Sequence, residues 1–253
     1  MAARLLGLDV GTSVIKAVVF DLDGVEVAVA AVAVDVRSPR PGWAEQDMEA
    51  VWFAAARSIS SVLAEIDDPG EIAAVGVAGQ GDGAWMIDAD GAPVAPAPLW
   101  SDGRATHAIE RWLDAGTLSR LFERGGTVLW PGSQAALLAW FGEHVPAVLE
   151  RATTVLCSKD WVRYRLTGTI GTDETDGSIP FMDLAARSID DGQLDLLGLT
   201  DHRDRLPPVS PAHAVVGEVS ADAASATGLR AGTPVVAGLL DVAANAVGVG
   251  AIE

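Results

Sequence analysis

Cysteine is almost absent. Cys157 stands alone in 253 residues, which excludes an internal disulfide framework and any CxxC zinc site. Basic residues are scarce too. Lys and Arg number 17 against 35 Asp and Glu, a formal net charge of −18, and this argues against nucleic acid or an anionic membrane as the main partner. A phosphate site remains open, because backbone N–H groups and a metal ion hold phosphate without a basic surface. No uninterrupted apolar run of about 18 residues occurs, and the N-terminus enters strand-like sequence with no signal-peptide core. The expected location is the cytoplasm. His107, His144, His202 and His213 lack metal-ligand spacing. No GxxxxGK[ST] loop is present. What is there is ordinary: 49% hydrophobic and 21% charged residues, a soluble globular chain with a sizeable core.

The pattern along the chain predicts an α/β protein. Leu5–Val10, Val14–Phe20 and Val25–Val34 read as strands joined by short turns, hence antiparallel. A helix is expected from Asp47 to about Glu65, with Trp52, Phe53, Ile59 and Leu63 on its apolar face. Strands follow at Glu71–Ala78 and Ala84–Ile87, then a helix capped by Ser101 or Asp102 and running through Ala115. Shorter helices are expected at Thr117–Arg124, Ser133–Phe141, Pro146–Arg151, Lys159–Leu166 and Ser220–Thr227, and strands at Thr153–Cys157 and Pro234–Ala237. The stretch after Asp241 stops in mid-pattern, which suggests a piece of a longer protein.

Four segments can carry chemistry. In Asp9-Val10-Gly11-Thr12-Ser13 a carboxylate ends an apolar strand, a glycine permits a tight turn, and two hydroxyls follow. Such a hairpin can cradle phosphate oxygens while Asp9 holds Mg²⁺; a plain hairpin with a polar edge fits the same residues. Gly79-Gln80-Gly81-Asp82-Gly83 can turn Gln80 and Asp82 toward a polyol, or simply link two strands. Trp100-Ser101-Asp102-Gly103-Arg104 combines a ring that stacks on a sugar face with groups that bond hydroxyls, or forms a helix cap with a salt-bridged arginine. An apolar strand delivers Asp241 at its carboxyl end, where open α/β sheets bind ligands; there a carboxylate can take a proton from an attacking hydroxyl, or merely cap a helix. A fifth segment, Phe20-Asp21-Leu22-Asp23-Gly24, matches the opening of haloacid-dehalogenase-type phosphatases, with Asp21 as nucleophile and Asp23 as acid/base, but strand-like Val25–Val34 follows where a helix or cap is usual.

Taken in order, these segments resemble the FGGY family of carbohydrate kinases. Lys159-Asp160-Trp161-Val162-Arg163-Tyr164 and Thr172-Asp173-Glu174-Thr175-Asp176 look like two further motifs of that family. The resemblance implies a ribonuclease-H-like lobe of the actin/hexokinase/Hsp70 superfamily, a mixed five-stranded sheet flanked by helices. It implies a sugar-binding lobe over residues 1–235 and the start of an ATP-binding lobe over residues 236–253. It implies ATP-dependent phosphorylation of a sugar or polyol, with a ketopentose such as xylulose foremost and a homodimer as assembly. Asp241 falls on the family's catalytic base. Asp9, Gly11, Thr12 and Ser13 would hold Mg²⁺ and the phosphates of ATP, Asp9 as the metal ligand. Gln80, Asp82, Trp100, Asp102, Arg104 and Asp241 would hold the substrate. Gly81-Asp82 replaces the Met-His of xylulose kinases, which weighs against plain D-xylulose and toward the L-xylulose kinase branch, with erythritol or other polyol kinases as neighbours. The family's adenosine-binding motifs lie past Glu253, so the 253 residues alone are expected not to phosphorylate at a normal rate. A non-catalytic actin- or Hsp70-like ATP-binding interaction protein is the alternative.

Overall fold

Strand alternation organises the first three elements of the computed structural model, which describes residues 3–251. β1 (Arg4–Val10), β2 (Val14–Phe20) and β3 (Glu26–Ala33) form an antiparallel meander. Leu6, Leu8 and Val10 share its buried face with Ile15, Ala17 and Val19, as a two-residue period requires. The Asp21 carboxylate accepts the N–H groups of Asp23 and Val25 at 3.0 and 2.9 Å, and Asp23 is exposed. These residues build a hairpin turn, and the phosphatase alternative has no support.

The chain then crosses by a helix, Met48–Leu63, whose N-cap Asp47 accepts the Ala50 N–H. Its buried stripe runs through Met48, Trp52, Ala55, Ile59 and Val62. Phe53 is 65% exposed instead of buried, because it stands about 100° around the helix from Trp52. β4 (Ile72–Gly79) lies parallel to β1. β5 (Val215–Glu218), β6 (Pro234–Val236) and β7 (Leu239–Leu240) complete the sheet, in the order β5-β6-β4-β1-β2-β3, with β7 also on β4. The sheet counts seven strands against the five expected, and the strands expected at Ala84–Ile87 and Thr153–Cys157 pair with each other outside it. β5 widens one edge, and a kink at Gly238 separates β6 from β7. A Cβ on Gly238 would stand 1.9 Å from the Val77 carbonyl oxygen, so only glycine lets the chain pass there. The expected lobe boundary after residue 235 falls inside β6, and the chain through Leu240 belongs to the same sheet.

Helices Met48–Leu63, Ser158–Thr167 and Ala221–Thr227 cover one face of this sheet. Leu5, Val27 and Val29 stand exposed on the other. A second apolar core lies between residues 84 and 206, around helices Thr106–Asp114, Thr117–Gly125, Gln134–His144 and Asp191–Leu197. The short strand Trp85–Ile87 links the two: Trp85 and Ile87 enter the first core and Met86 the second. Among the described residues no helix is long and apolar enough to cross a membrane.

Candidate active site

Three parallel strands end side by side. Val10 of β1 and Leu240 of β7 both pair with Gly79 of β4. The register therefore brings the Gly11–Ser13 turn, the Gln80–Gly83 turn and Asp241 to one edge of the sheet, although the sequence holds them far apart. Gly11 is required where it stands, since a Cβ there would lie 2.7 Å from the Val14 carbonyl oxygen.

A ring of side chains locks the first two turns together. Thr12 Oγ1 donates to Gln80 Oε1 at 2.9 Å, Gln80 Nε2 donates to Gln46 Oε1 at 2.9 Å, and Gln46 Nε2 donates to the Thr12 carbonyl at 2.8 Å. The Trp100 indole N–H adds a bond to Thr12 Oγ1 at 3.1 Å. Gln80 is buried, and both ends of its amide are occupied. The geometry makes it a brace for the hairpin rather than a direct substrate contact.

Asp102 and Arg104 also lie behind the site. Asp102 Oδ1 accepts the Arg104 N–H and Nε, while Oδ2 accepts the Ala44 N–H and Arg104 Nη2, all at 2.7–2.9 Å. The guanidinium also reaches Glu45 at 2.6 Å and lies 3.9 Å from the Trp43 ring centroid. These bonds hold the turn after Leu99 against Trp43–Glu45, so the next helix starts at Thr106 and not at Ser101. Of this segment only Trp100, 46% exposed, faces the cavity.

That cavity measures about 360 Å³ and is walled by Thr12, Gly81, Asp82, Trp100, Trp130, Ile179, Leu240, Asp241 and Val242. Trp130 escaped the sequence reading as a site residue; it binds the Trp100 carbonyl through its indole N–H at 2.8 Å. Asp82 takes a left-handed backbone (φ +54°), and its Oδ1 accepts the Gln134 N–H at 3.1 Å. Burial pushes its carboxyl up to about 7, against the pull of the Gln134 bond and with help from the Asp176 charge.

Asp9 stands across the ladder from Lys16. Burial raises its carboxyl above the usual range, Lys16 opposes this, and the Asp241 charge adds to it. The backbone N–H groups of Gly11, Thr12 and Ser13 meet no backbone acceptor among the described residues. Carboxylates, hydroxyls and free N–H groups form an oxygen-rich, anion-receptive set that fits a hard divalent cation with phosphate.

Sequence reasoning also missed the support beneath Asp241. The fully buried Lys159 ammonium lies 2.6 Å from Asp160, 2.8 Å from Asp173 and 3.0 Å from Asp176. Burial acts to lower its pKa, but Asp160, Asp176 and Asp173 outweigh it and hold the ammonium well above the ordinary range. Asp173 Oδ2 accepts both the N–H and the hydroxyl of Thr175. The Thr175 hydroxyl in turn accepts the Leu240 N–H at 2.8 Å. A chain of bonds thus runs from a buried charge cluster to the residue preceding Asp241.

Comparison with known proteins gives a consistent outcome. The model described as the FGGY family of carbohydrate kinases, N-terminal domain, matches residues 4–248. The L-xylulose/3-keto-L-gulonate kinase of Escherichia coli (strain K12) is 36% identical over 248 residues, covering 97% of this chain and 50% of that protein. The erythritol kinase of Brucella abortus (strain 2308) is 38% identical over 250 residues, with 97% and 48% covered. The crystal structure of xylulose kinase from Rhodospirillum rubrum superposes with a TM-score of 0.92 at 29% identity, covering 99% of this chain and 51% of that one. The fold is therefore the actin/hexokinase-like one expected. The chain spans about half the length of the curated relatives it matches.

Proposed function

The chain belongs to the FGGY family of carbohydrate kinases, and on that premise we propose that it forms the substrate-binding part of an enzyme that phosphorylates a sugar or polyol hydroxyl with ATP. One observation carries the reading: at one edge of the sheet the Asp9–Ser13 hairpin lies beside a cavity walled by tryptophans and holding Asp82 and Asp241. Trp100 and Trp130 offer apolar faces to the substrate's carbon chain, and Asp82 offers a hydroxyl acceptor. Asp241, at the start of a helix and fixed by the Val242 N–H at 2.7 Å, takes the proton from the hydroxyl as its oxygen becomes the nucleophile. Asp9, Thr12, Ser13 and the turn's N–H groups hold the phosphate end and its metal. Magnesium-bound ATP supplies the transferable phosphoryl group and a cation that neutralises its charge. The adenosine end belongs to the part of the protein outside these residues, so the 253 residues alone turn substrate over slowly.

The relatives' names span a neutral polyol, a neutral ketopentose and a sugar acid. The substrate here is of the same polyhydroxy class. Release of ADP by the complete gene product, measured over ketopentoses, aldoses and polyols, tests the reading. Asp241→Asn should lower kcat by about 10²–10⁴-fold. A variant that keeps the parent kcat would overturn the assignment of Asp241.

A further inference from the structure

The charge inside the cavity refines the substrate class, and this step rests on the kinase reading above. The described lining includes two carboxylates, Asp82 and Asp241, and no Lys, Arg or His. Of the buried cations outside this lining, Arg163 stands 3.4 Å from Asp160 and donates to the Ala237 carbonyl at 3.1 Å, and the other two are held by carboxylates. Lys159 is held by Asp160, Asp173 and Asp176, and Arg104 by Asp102 and Glu45. A third carboxylate stands close: Asp176 Oδ1 lies 2.8 Å from where a Cβ on Gly81 would sit. The remaining walls are Thr12, Gly81 and the apolar faces of Trp100, Trp130, Ile179, Leu240 and Val242. Asp82 cannot easily swing away, because its backbone is left-handed and its Oδ1 is tied to the Gln134 N–H.

We infer that Asp82 acts as a charge filter, making this site selective for uncharged polyols and ketoses and against sugar acids. A neutral hydroxyl donates to Asp82 and satisfies it. A substrate carboxylate brings a like charge into a cavity whose described lining holds no cation to receive it. At about 5 Å and an effective dielectric constant near 20, one such repulsion corresponds to about a 10²-fold loss in affinity.

Two measurements test this. The first compares kcat/KM of the complete enzyme for a neutral ketopentose and a polyol with that for a hexulosonate and an aldonate, at pH 8, where Asp82 is ionised. A preference of about 10²-fold for the neutral compounds is expected, narrowing about tenfold or more in Asp82→Asn. Asparagine accepts the left-handed backbone and nearly matches the shape, so the variant folds. The preference should also narrow at pH 6, as Asp82 takes up a proton; the other titratable groups around it are Asp176, Asp241, Cys157 and Lys159. The second measurement follows tryptophan fluorescence as the same compounds are titrated into the 253-residue chain, which reads the preference without turnover. Equal or better use of sugar acids by the parent enzyme, or an unchanged ratio in Asp82→Asn, overturns the inference while leaving a kinase. Preferential binding of neutral compounds without phosphorylation overturns the kinase reading and leaves the filter. Absence of binding by every compound overturns both.

Discussion

Replacing Lys159 by methionine removes one positive charge from contact with three buried carboxylates. The ammonium lies 2.6–3.0 Å from Asp160, Asp173 and Asp176, all of them buried. Arg163 is the other cation there, 3.4 Å from Asp160. Stranding buried charges in this way costs about 3–5 kcal/mol, out of a domain stability of about 5–15 kcal/mol. With a urea slope of about 3 kcal/mol per molar, the midpoint at pH 7 should fall by about 1–2 M. The loss should depend on pH. Asp176 already sits above the usual carboxylate range, chiefly through burial, which Lys159 counteracts. Without the ammonium the Asp176 carboxyl moves higher. A carboxyl whose folded pKa lies above its unfolded value of about 3.9 binds protons preferentially in the folded state, so lowering the pH from 7 to 5 stabilises the fold. The parent gains on the same path through Asp82 and Asp176, and the variant should gain more. Lys159→Met/Asp176→Asn, with one stranded charge fewer, should recover part of the loss. Urea melts at pH 7 and pH 5 measure all of this. A drop below 1 kcal/mol, or one identical at both pH values, would refute the account of the cluster.

Gly11→Ala places a Cβ 2.7 Å from the Val14 carbonyl oxygen. The overlap should cost about 1–3 kcal/mol and lower the melting temperature by about 2–10 °C; calorimetry showing no change would contradict the close approach. Thr175→Val keeps the shape but removes the acceptor for the Leu240 N–H. Exchange at the Leu240 amide should quicken by about tenfold or more, in line with a loss of about 1–3 kcal/mol, while Thr175→Ser stays near the parent rate.

Local signals were read well, and closures between distant residues were not. The alternation of Leu6, Leu8 and Val10 marks β1 because its period is visible in seven residues. Gly168 and Gly228 end their helices in left-handed conformations, φ +75° and +80°, as glycine after a periodic stretch predicts. Asp102 looked available to a ligand because its partners include the Ala44 N–H, 58 residues away. Gln46 left no signal at all; it matters only once β1 and β4 pair and bring Thr12 beside Gln80. The Lys159-Asp160 pair carries no local signal of burial, since charges are almost never fully buried unless paired and its other partners are distant in sequence. The partners that bury Lys159 include Asp173 and Asp176, which arrive from beyond the end of its helix.

The two halves of the site are held by unlike means, and the difference matters for chemistry. The Gly11–Ser13 hairpin is braced by neutral amides and a hydroxyl through Thr12, Gln80 and Gln46. The charge at Asp9, at the end of the strand before this hairpin, faces Lys16 across the ladder. The strand carrying Asp241 is braced by a permanent charge, Lys159, but through Asp173 and Thr175. The ammonium fixes the backbone before Asp241 without being bonded to the Asp241 carboxylate. The hydroxyl relay carries position from the charge cluster to the chain just before Asp241. Among the described residues the cavity lining carries no positive charge, and this is the condition under which Asp82 is proposed to distinguish a hydroxyl from a carboxylate.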